Sequence, residues 1–308
     1  MKEGMNKSME YVLTTENLSK IYGAKKAVDK VNIHVKKGDI YGFIGKNGAG
    51  KTTLMKMVTG LAKPTSGTIK LFGSQELVKQ RERVGSLIES PGFYGNMSAK
   101  GNMEYFRKLF GIKEEEQSDK VLEWVGLDSK DKKKARNFSL GMKQRLGIAI
   151  SLLASPDFLI LDEPINGLDP EGIKEIRDLL LKLNKEQEIT ILISSHILGE
   201  LSKIATTYGI IKNGCLIEEF SNDELKERCK RCIKVKVNDT KKAANILETV
   251  LGISEFEVLE EQGIRIFSNL DEIGTINKIL VENNLEVTEL KMAGQDLEGY
   301  FMELLGGE

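Results

Sequence analysis

The chain has 308 residues, enough for about two domains. With 40% apolar and 30% charged residues it has the composition of an ordinary soluble globular protein, and its formal net charge of −1 argues against a general nucleic-acid binder. Charge is unevenly placed: residues 229–308 hold 9 Lys and Arg against 15 Asp and Glu, which leaves the part before them mildly basic. Met1 to Lys7 lacks the apolar core of a signal peptide, and the apolar region Leu146–Leu161 is broken by Ser151, Ser155, Pro156 and Asp157. A cytosolic chain that does not itself cross a membrane is expected.

Tyr11-Val12-Leu13-Thr14 opens as a strand, and the alternation in Val31-Asn32-Ile33-His34-Val35 predicts a half-buried strand with His34 on its solvated side. Ile40-Tyr41-Gly42-Phe43-Ile44 is an apolar strand that runs into Gly45-Lys46-Asn47-Gly48-Ala49-Gly50-Lys51-Thr52, and Thr53 to Thr59 can open a helix behind it. The octapeptide has the form G-x-x-x-x-G-K-[ST]. Glycines at 45, 48 and 50 let the backbone curl, so that successive N–H groups point at phosphate oxygens. Lys51 reaches the β- and γ-phosphates, the Thr52 hydroxyl can ligate Mg²⁺, and the helix offers its positive end to the same anion. Gly45, Asn47, Gly48, Ala49, Gly50, Lys51, Thr52 and Thr53 are therefore the expected binding residues for a nucleoside triphosphate.

Strands follow at Gly67–Gly73 and Val84–Ile88, and residues 98 to about 155 read as mainly helical, with loops near Gly111 and Asp128. Phe158-Leu159-Ile160-Leu161 is a continuous apolar run ending in Asp162, as in a parallel strand buried on both faces. Ile173, Ile176, Leu179, Leu180 and Leu183 recur at helical spacing, Ile189 to Ile193 returns to strand, and Asn213-Gly214 signals a two-residue hairpin. Charge is dense from Lys226 to Arg231, where a domain boundary is placed, giving 1–228 and 229–308. Beyond it the order strand, helix, strand, strand, helix, strand is the split βαβ, ferredoxin-like pattern. A last helix carries Leu297, Tyr300, Phe301, Leu304 and Leu305 on one face. Cys229-Lys230-Arg231-Cys232 has C-x-x-C spacing, open to zinc or redox chemistry. Only Cys215 and two separated histidines could complete a four-ligand site, which favours plain packing near a domain junction.

In this order the motifs resemble the ATP-binding cassette, the nucleotide-binding subunit of ABC transporters, over about residues 11–225. The resemblance implies an α/β P-loop NTPase cassette with a helical subdomain at about 90–155, followed by the small α+β domain. It makes Asp162 a Mg²⁺ ligand and Glu163 the general base for the attacking water. Phe138-Ser139-Leu140-Gly141-Met142-Lys143-Gln144 resembles the cassette signature, keeping Ser139 and Gly141 while departing at Leu140, Met142 and Lys143. In the family this helix end contacts the γ-phosphate held by a second subunit, so two chains sandwich two ATP molecules head to tail. Asn166-Gly167-Leu168-Asp169 resembles the loop that couples the two sites, His196 stands where the family has its switch histidine, and Tyr22 where an aromatic stacks on adenine.

Glu89 departs from the glutamine usual at its position; it can also ligate Mg²⁺, but adds negative charge near Asp162, Glu163 and the phosphates. The Glu89–Ser98 segment, the signature variant and Leu297-Glu298-Gly299-Tyr300-Phe301 are similar to the bacitracin-resistance and lantibiotic-immunity branch, whose permease is a separate chain. The resemblance thus implies an ATP-hydrolysing exporter subunit for peptide antibiotics or multiple drugs. It would lie on the inner face of the cell membrane, paired with an integral-membrane permease, with no nucleic acid as partner. The competing reading, a soluble cassette ATPase of translation or DNA repair, fits less well. The chain has one phosphate loop, and the span from Lys51 to Ser139 is too short for a long coiled coil.

Overall fold

The computed structural model describes residues 10–259, 263–294 and 297–304; Met1 to Lys7 and Leu305 lie outside the described residues. The chain divides into two compact units between Asn222 and Asp223.

The first unit opens with strands β1 (Tyr11–Tyr22), β2 (Lys25–Val31), β3 (His34–Lys36) and β4 (Ile40–Ile44), then helix α1 (Lys51–Thr59). Next come β5 (Ser66–Leu71), α2 (Leu77–Arg81) and β6 (Val84–Leu87), then the helices α3 (Ala99–Leu109), α4 (Gln117–Trp124) and α5 (Leu140–Leu152). It closes with β7 (Phe158–Asp162), α6 (Pro170–Glu186), β8 (Thr190–Ser195), α7 (Leu198–Leu201), β9 (Thr207–Lys212) and β10 (Cys215–Ser221). Six strands form one sheet in the order β10-β9-β4-β8-β7-β6, parallel except for β10. Every residue of β4, β7 and β8 is buried, which is why these strands read as unbroken apolar runs instead of alternating ones. A second, antiparallel sheet runs β2-β1-β3 with β5 also on β1. Leu13, Val28, Ile33, Phe43, Leu54 and Phe158 belong to the core that joins these layers.

The strand expected at Val31–Val35 is instead the end of β2 and the start of β3. β1 pairs with β2 through Leu18–Tyr22 and with β3 through Tyr11–Thr14. Thr15 fills the gap between the two ladders: its hydroxyl donates to Val31 C=O at 2.9 Å and accepts from Ile33 N–H at 3.0 Å. β2 has only Val28 and Val31 buried, too few apolar positions to show a period. His34 is exposed on β3, as expected, with Nδ1 2.8 Å from Glu219 Oε2. Asn213 and Gly214, at φ 52° and 83°, make the tight turn between β9 and β10.

The second unit holds α8 (Asn222–Cys229), β11 (Cys232–Val237), α9 (Thr240–Thr249), β12 (Phe256–Leu259), β13 (Gly263–Ile266), α10 (Ile273–Glu282), β14 (Val287–Ala293) and α11 (Leu297–Leu304). Its sheet runs β12-β13-β11-β14, antiparallel throughout. One face carries Ile233, Val235, Ile264 and Ile266 into a core with Leu247 of α9 and Ile276 of α10. The charge-dense Lys226–Arg231 stretch falls largely within α8, whose one buried residue is Leu225.

Candidate functional site

β4 ends at Ile44, and the chain turns through Gly48 (φ 79°) and Gly50 (φ 114°) before α1 begins at Lys51. Both values lie where only glycine is unstrained. A Cβ on Gly50 would stand 2.5 Å from the Ala27 carbonyl oxygen, while one on Gly48 would meet nothing within 4 Å. No side chain caps α1, so its first N–H groups face the loop, the arrangement that receives an anion. The loop borders a cleft of about 310 Å³ lined by Tyr22, Asn47, Gly48, Gly50, Lys51, Thr52, Thr53 and Glu163. Gly45 and Ala49 are not among the lining residues; Ala49 is buried beneath the loop. Lys25 and Ala27 of β2 also line the cleft, and sequence reasoning missed them along with their strand.

Lys51 is 5% exposed; its ammonium donates to Gly45 C=O at 2.6 Å and lies 3.1 Å from Glu163 Oε1. That second contact is an ion pair without hydrogen-bond geometry, so Glu163 Oε1 is buried with no hydrogen-bond partner. The other oxygen, Oε2, lies 2.7 Å from His196 Nδ1. A carboxylate only accepts, so a neutral His196 carries its proton on Nδ1 and keeps a lone pair on Nε2. Glu163 follows β7 with φ 51°, a left-handed backbone that costs a non-glycine residue about 1–2 kcal/mol. Its N–H donates to Ser194 Oγ at 2.9 Å.

Asp162, 5% exposed, is held by two hydroxyls: Ser194 donates to Oδ1 at 2.6 Å and Thr52 to Oδ2 at 2.7 Å. A hydroxyl and a carboxylate beside a phosphate-shaped loop form the sparse, all-oxygen donor set that suits Mg²⁺, which takes its remaining ligands from phosphates and water. The role of Ser194 had one faint sign in the sequence, a hydroxyl at the end of an otherwise apolar strand.

Glu89, the other expected metal ligand, is not among the residues lining the cleft. It lies beyond β6 with φ 65°, exposed, and accepts from Lys56 Nζ at 2.5 Å. Lys56 stands one helical turn after Thr52 on α1, and the hydrogen bond to Glu89 holds its ammonium above the ordinary lysine range. This partner was invisible in the sequence, because 33 residues separate the two.

Ser139 and Gly141 line a different hollow, of about 460 Å³, together with Leu140, Gly167 and Asp169. Ser139 caps α5 by accepting from Met142 N–H at 3.2 Å, and Asp169 caps α6 by accepting from Gly172 N–H at 3.1 Å. Replacing Ser139 by alanine is expected to cost about 1 kcal/mol of stability, read as a lower denaturant midpoint. The substituted signature residue Leu140 is exposed, with its Cδ2 3.3 Å from where a Cβ on Gly167 would be.

A family model described as "ABC transporter" matches residues 28–166. The chain is 48% identical over 302 residues to the bacitracin transport ATP-binding protein BcrA of Bacillus licheniformis, covering 97% of this chain and 99% of the relative. It is 46% identical over 212 residues to the lantibiotic transport ATP-binding protein SrtF of Streptococcus pyogenes, covering 69% and 92%. Among solved structures, cbiO1 of Clostridium perfringens, part of the ABC transporter complex cbiONQ, superposes with a TM-score of 0.64 at 26% identity, covering 79% of this chain and 97% of that one.

Proposed function

The chain belongs to the ABC transporter ATP-binding family, and from that premise we propose that it hydrolyses ATP to drive a separate membrane permease exporting a peptide antibiotic of the bacitracin or lantibiotic kind. The observation that carries the chemistry is the meeting of Lys51, Glu163 and His196 at the phosphate loop. Lys51 and the loop amides bind and orient the triphosphate, and Thr52 and Asp162 would hold its Mg²⁺, which neutralises charge on the phosphates. Tyr22 lines the same cleft, and adenine would stack on its ring. Glu163 takes the proton of the attacking water. His196 fixes that carboxylate through Nδ1–H, and it can donate from Nε2 to a phosphate oxygen only as imidazolium.

Ser139, Gly141 and Asp169 share a hollow separate from the cleft, which suits a second chain supplying the other nucleotide in a head-to-tail dimer. The permease would dock on the segment after Glu89. There Tyr94 and Met97 are exposed and Tyr94 shares a hydroxyl hydrogen bond of 3.0 Å with Tyr105. Among the described residues no helix is long and apolar enough to cross a membrane.

Glu89 is expected to raise the cost of closing the site around Mg²⁺ and ATP. Replacing it by glutamine removes its negative charge and releases Lys56 from its ion pair, so the Mg²⁺ needed for half-maximal turnover should fall by up to about fivefold, the scale of one solvent-screened charge interaction. A Mg²⁺ titration of ATPase rate that is identical in both proteins would refute this.

The whole reading is tested by expressing tagged Glu163→Gln protein in its native cells and purifying it with ATP from detergent-solubilised membranes. Recovery of a stoichiometric integral-membrane partner is expected. Recovery only from the soluble fraction, with ribosomes or DNA or alone, would reassign the protein to the soluble cassette ATPases.

A further inference from the structure

The second unit carries a charge arrangement that its own folding does not explain. On the sheet face opposite the Ile233–Val235 core, register places Arg265 of β13 directly across from Lys234 of β11, and Lys291 of β14 across from Lys234 on the other side. Three cations thus stand side by side on adjacent strands, about 10 Å from end to end at the ordinary strand spacing. Like charges directly opposite one another destabilise a sheet. Carboxylates pair with the ends of the row: Glu257 lies 3.6 Å from Arg265, and Glu289 lies 2.7 Å from Lys291, with its carboxyl held low chiefly by Lys291 and also by the charge of Lys234. Lys234, the central and half-buried cation, has no ion pair among the described residues.

Next to the row the sheet falls away. Cys232 and Ala293 are the facing pair, small side chains where the neighbouring pair is Lys234 and Lys291. They help floor a hollow of about 540 Å³, the size of a small-molecule site. Two further cations stand at its margin. Arg228 is fixed by donating to the Tyr300 hydroxyl at 2.7 Å, and Lys230 lies over the Phe267 ring at 4.4 Å. Among the described residues its lining therefore has five cations against two carboxylates, Glu227 and Glu257, with Glu289 pairing Lys291 from beside it, a positive surplus within a stretch whose overall balance is acidic. A surplus of one sign, confined to one concavity and opposed to the surrounding charge, focuses field on an anion.

We propose that this hollow is a second ligand site, for a compact phosphate-bearing anion with at least two negative charges seated along Arg265, Lys234 and Lys291. Both a soluble phosphate ester and a phospholipid headgroup present that chemistry. The site is built from residues of the second unit alone and does not depend on the transport reading.

The test uses the full chain with its nucleotide cleft filled by Mg²⁺ and a non-hydrolysable ATP analogue. Calorimetric titration with inorganic pyrophosphate probes the soluble source, and co-sedimentation with phosphatidylglycerol vesicles, against phosphatidylcholine vesicles, probes the headgroup. At least one probe should bind, more weakly as salt rises, and Lys234→Gln should weaken it about tenfold, with Lys234→Gln/Arg265→Gln weakening it further. Lys278→Gln, an exposed lysine on α10 outside the hollow, should change nothing. Without ligand the double variant should melt no lower than the parent, because the like-charge row is gone. The proposal is overturned if neither probe binds, if the double variant binds as the parent does, or if Lys278→Gln weakens binding equally. A double variant that melts lower would also count against it.

Discussion

Glu163→Gln will lower ATP turnover by about 10²–10⁴-fold while leaving ATP binding intact. Glutamine keeps the shape and an oxygen that can accept from His196 Nδ1 at the position Glu163 Oε2 now holds, 2.7 Å away. What it loses is the basic site for the water proton, together with the negative charge 3.1 Å from Lys51. Lys51 is then no longer shared between Glu163 and an incoming phosphate, so affinity for ATP should hold or rise. Single-turnover hydrolysis and equilibrium nucleotide binding separate the two effects. A turnover loss below tenfold would remove Glu163 as the base, and an equal loss in binding would make its role structural.

Gly50→Ala will abolish nucleotide binding, whereas Gly48→Ala will only weaken it. Two penalties fall together on Gly50. Its φ of 114° lies outside the left-handed region that other residues can reach, and the new Cβ would stand 2.5 Å from the Ala27 carbonyl oxygen, which is backbone and cannot swing away. Gly50 C=O also accepts the first hydrogen bond of α1, from Leu54 N–H at 3.0 Å, so a shifted Gly50 disturbs the helix end that faces the phosphates. Gly48 has open space and φ 79°, leaving mainly the left-handed backbone cost of about 1–2 kcal/mol, or roughly tenfold in affinity. Titration with a fluorescent ATP analogue, with circular dichroism to verify folding, distinguishes them. Equal affinities in the two variants would show that the Ala27 contact does not shape the loop.

Much of the candidate nucleotide site was legible because its parts are local. The phosphate loop is eight consecutive residues between a strand and a helix, and Asp162 and Glu163 adjoin at the end of one apolar run. Strands buried on both faces leave unbroken apolar runs, and two residues with φ above zero leave Asn213-Gly214 between two strands. Segments that bury little were harder to read. β2 contributes two buried residues to its sheet, so no period marked it, and Lys25 and Ala27 in the cleft were missed with it.

The sequence by itself therefore determined the α/β class, the glycine-rich loop between strand and helix, the adjoining carboxylates Asp162 and Glu163 proposed for the chemistry, and most of the order of elements, since each depends on neighbours within a turn or a strand. Only the tertiary structure decided what crosses between distant segments. It turned Glu89 toward Lys56, gave Asp162 the hydroxyl of Ser194, and switched the partners of β1 at Thr15. It also aligned Arg265, Lys234 and Lys291 across three strands. Strand register is set by which side chains reach the core, and that long-range choice leaves no local trace in the residues it brings together.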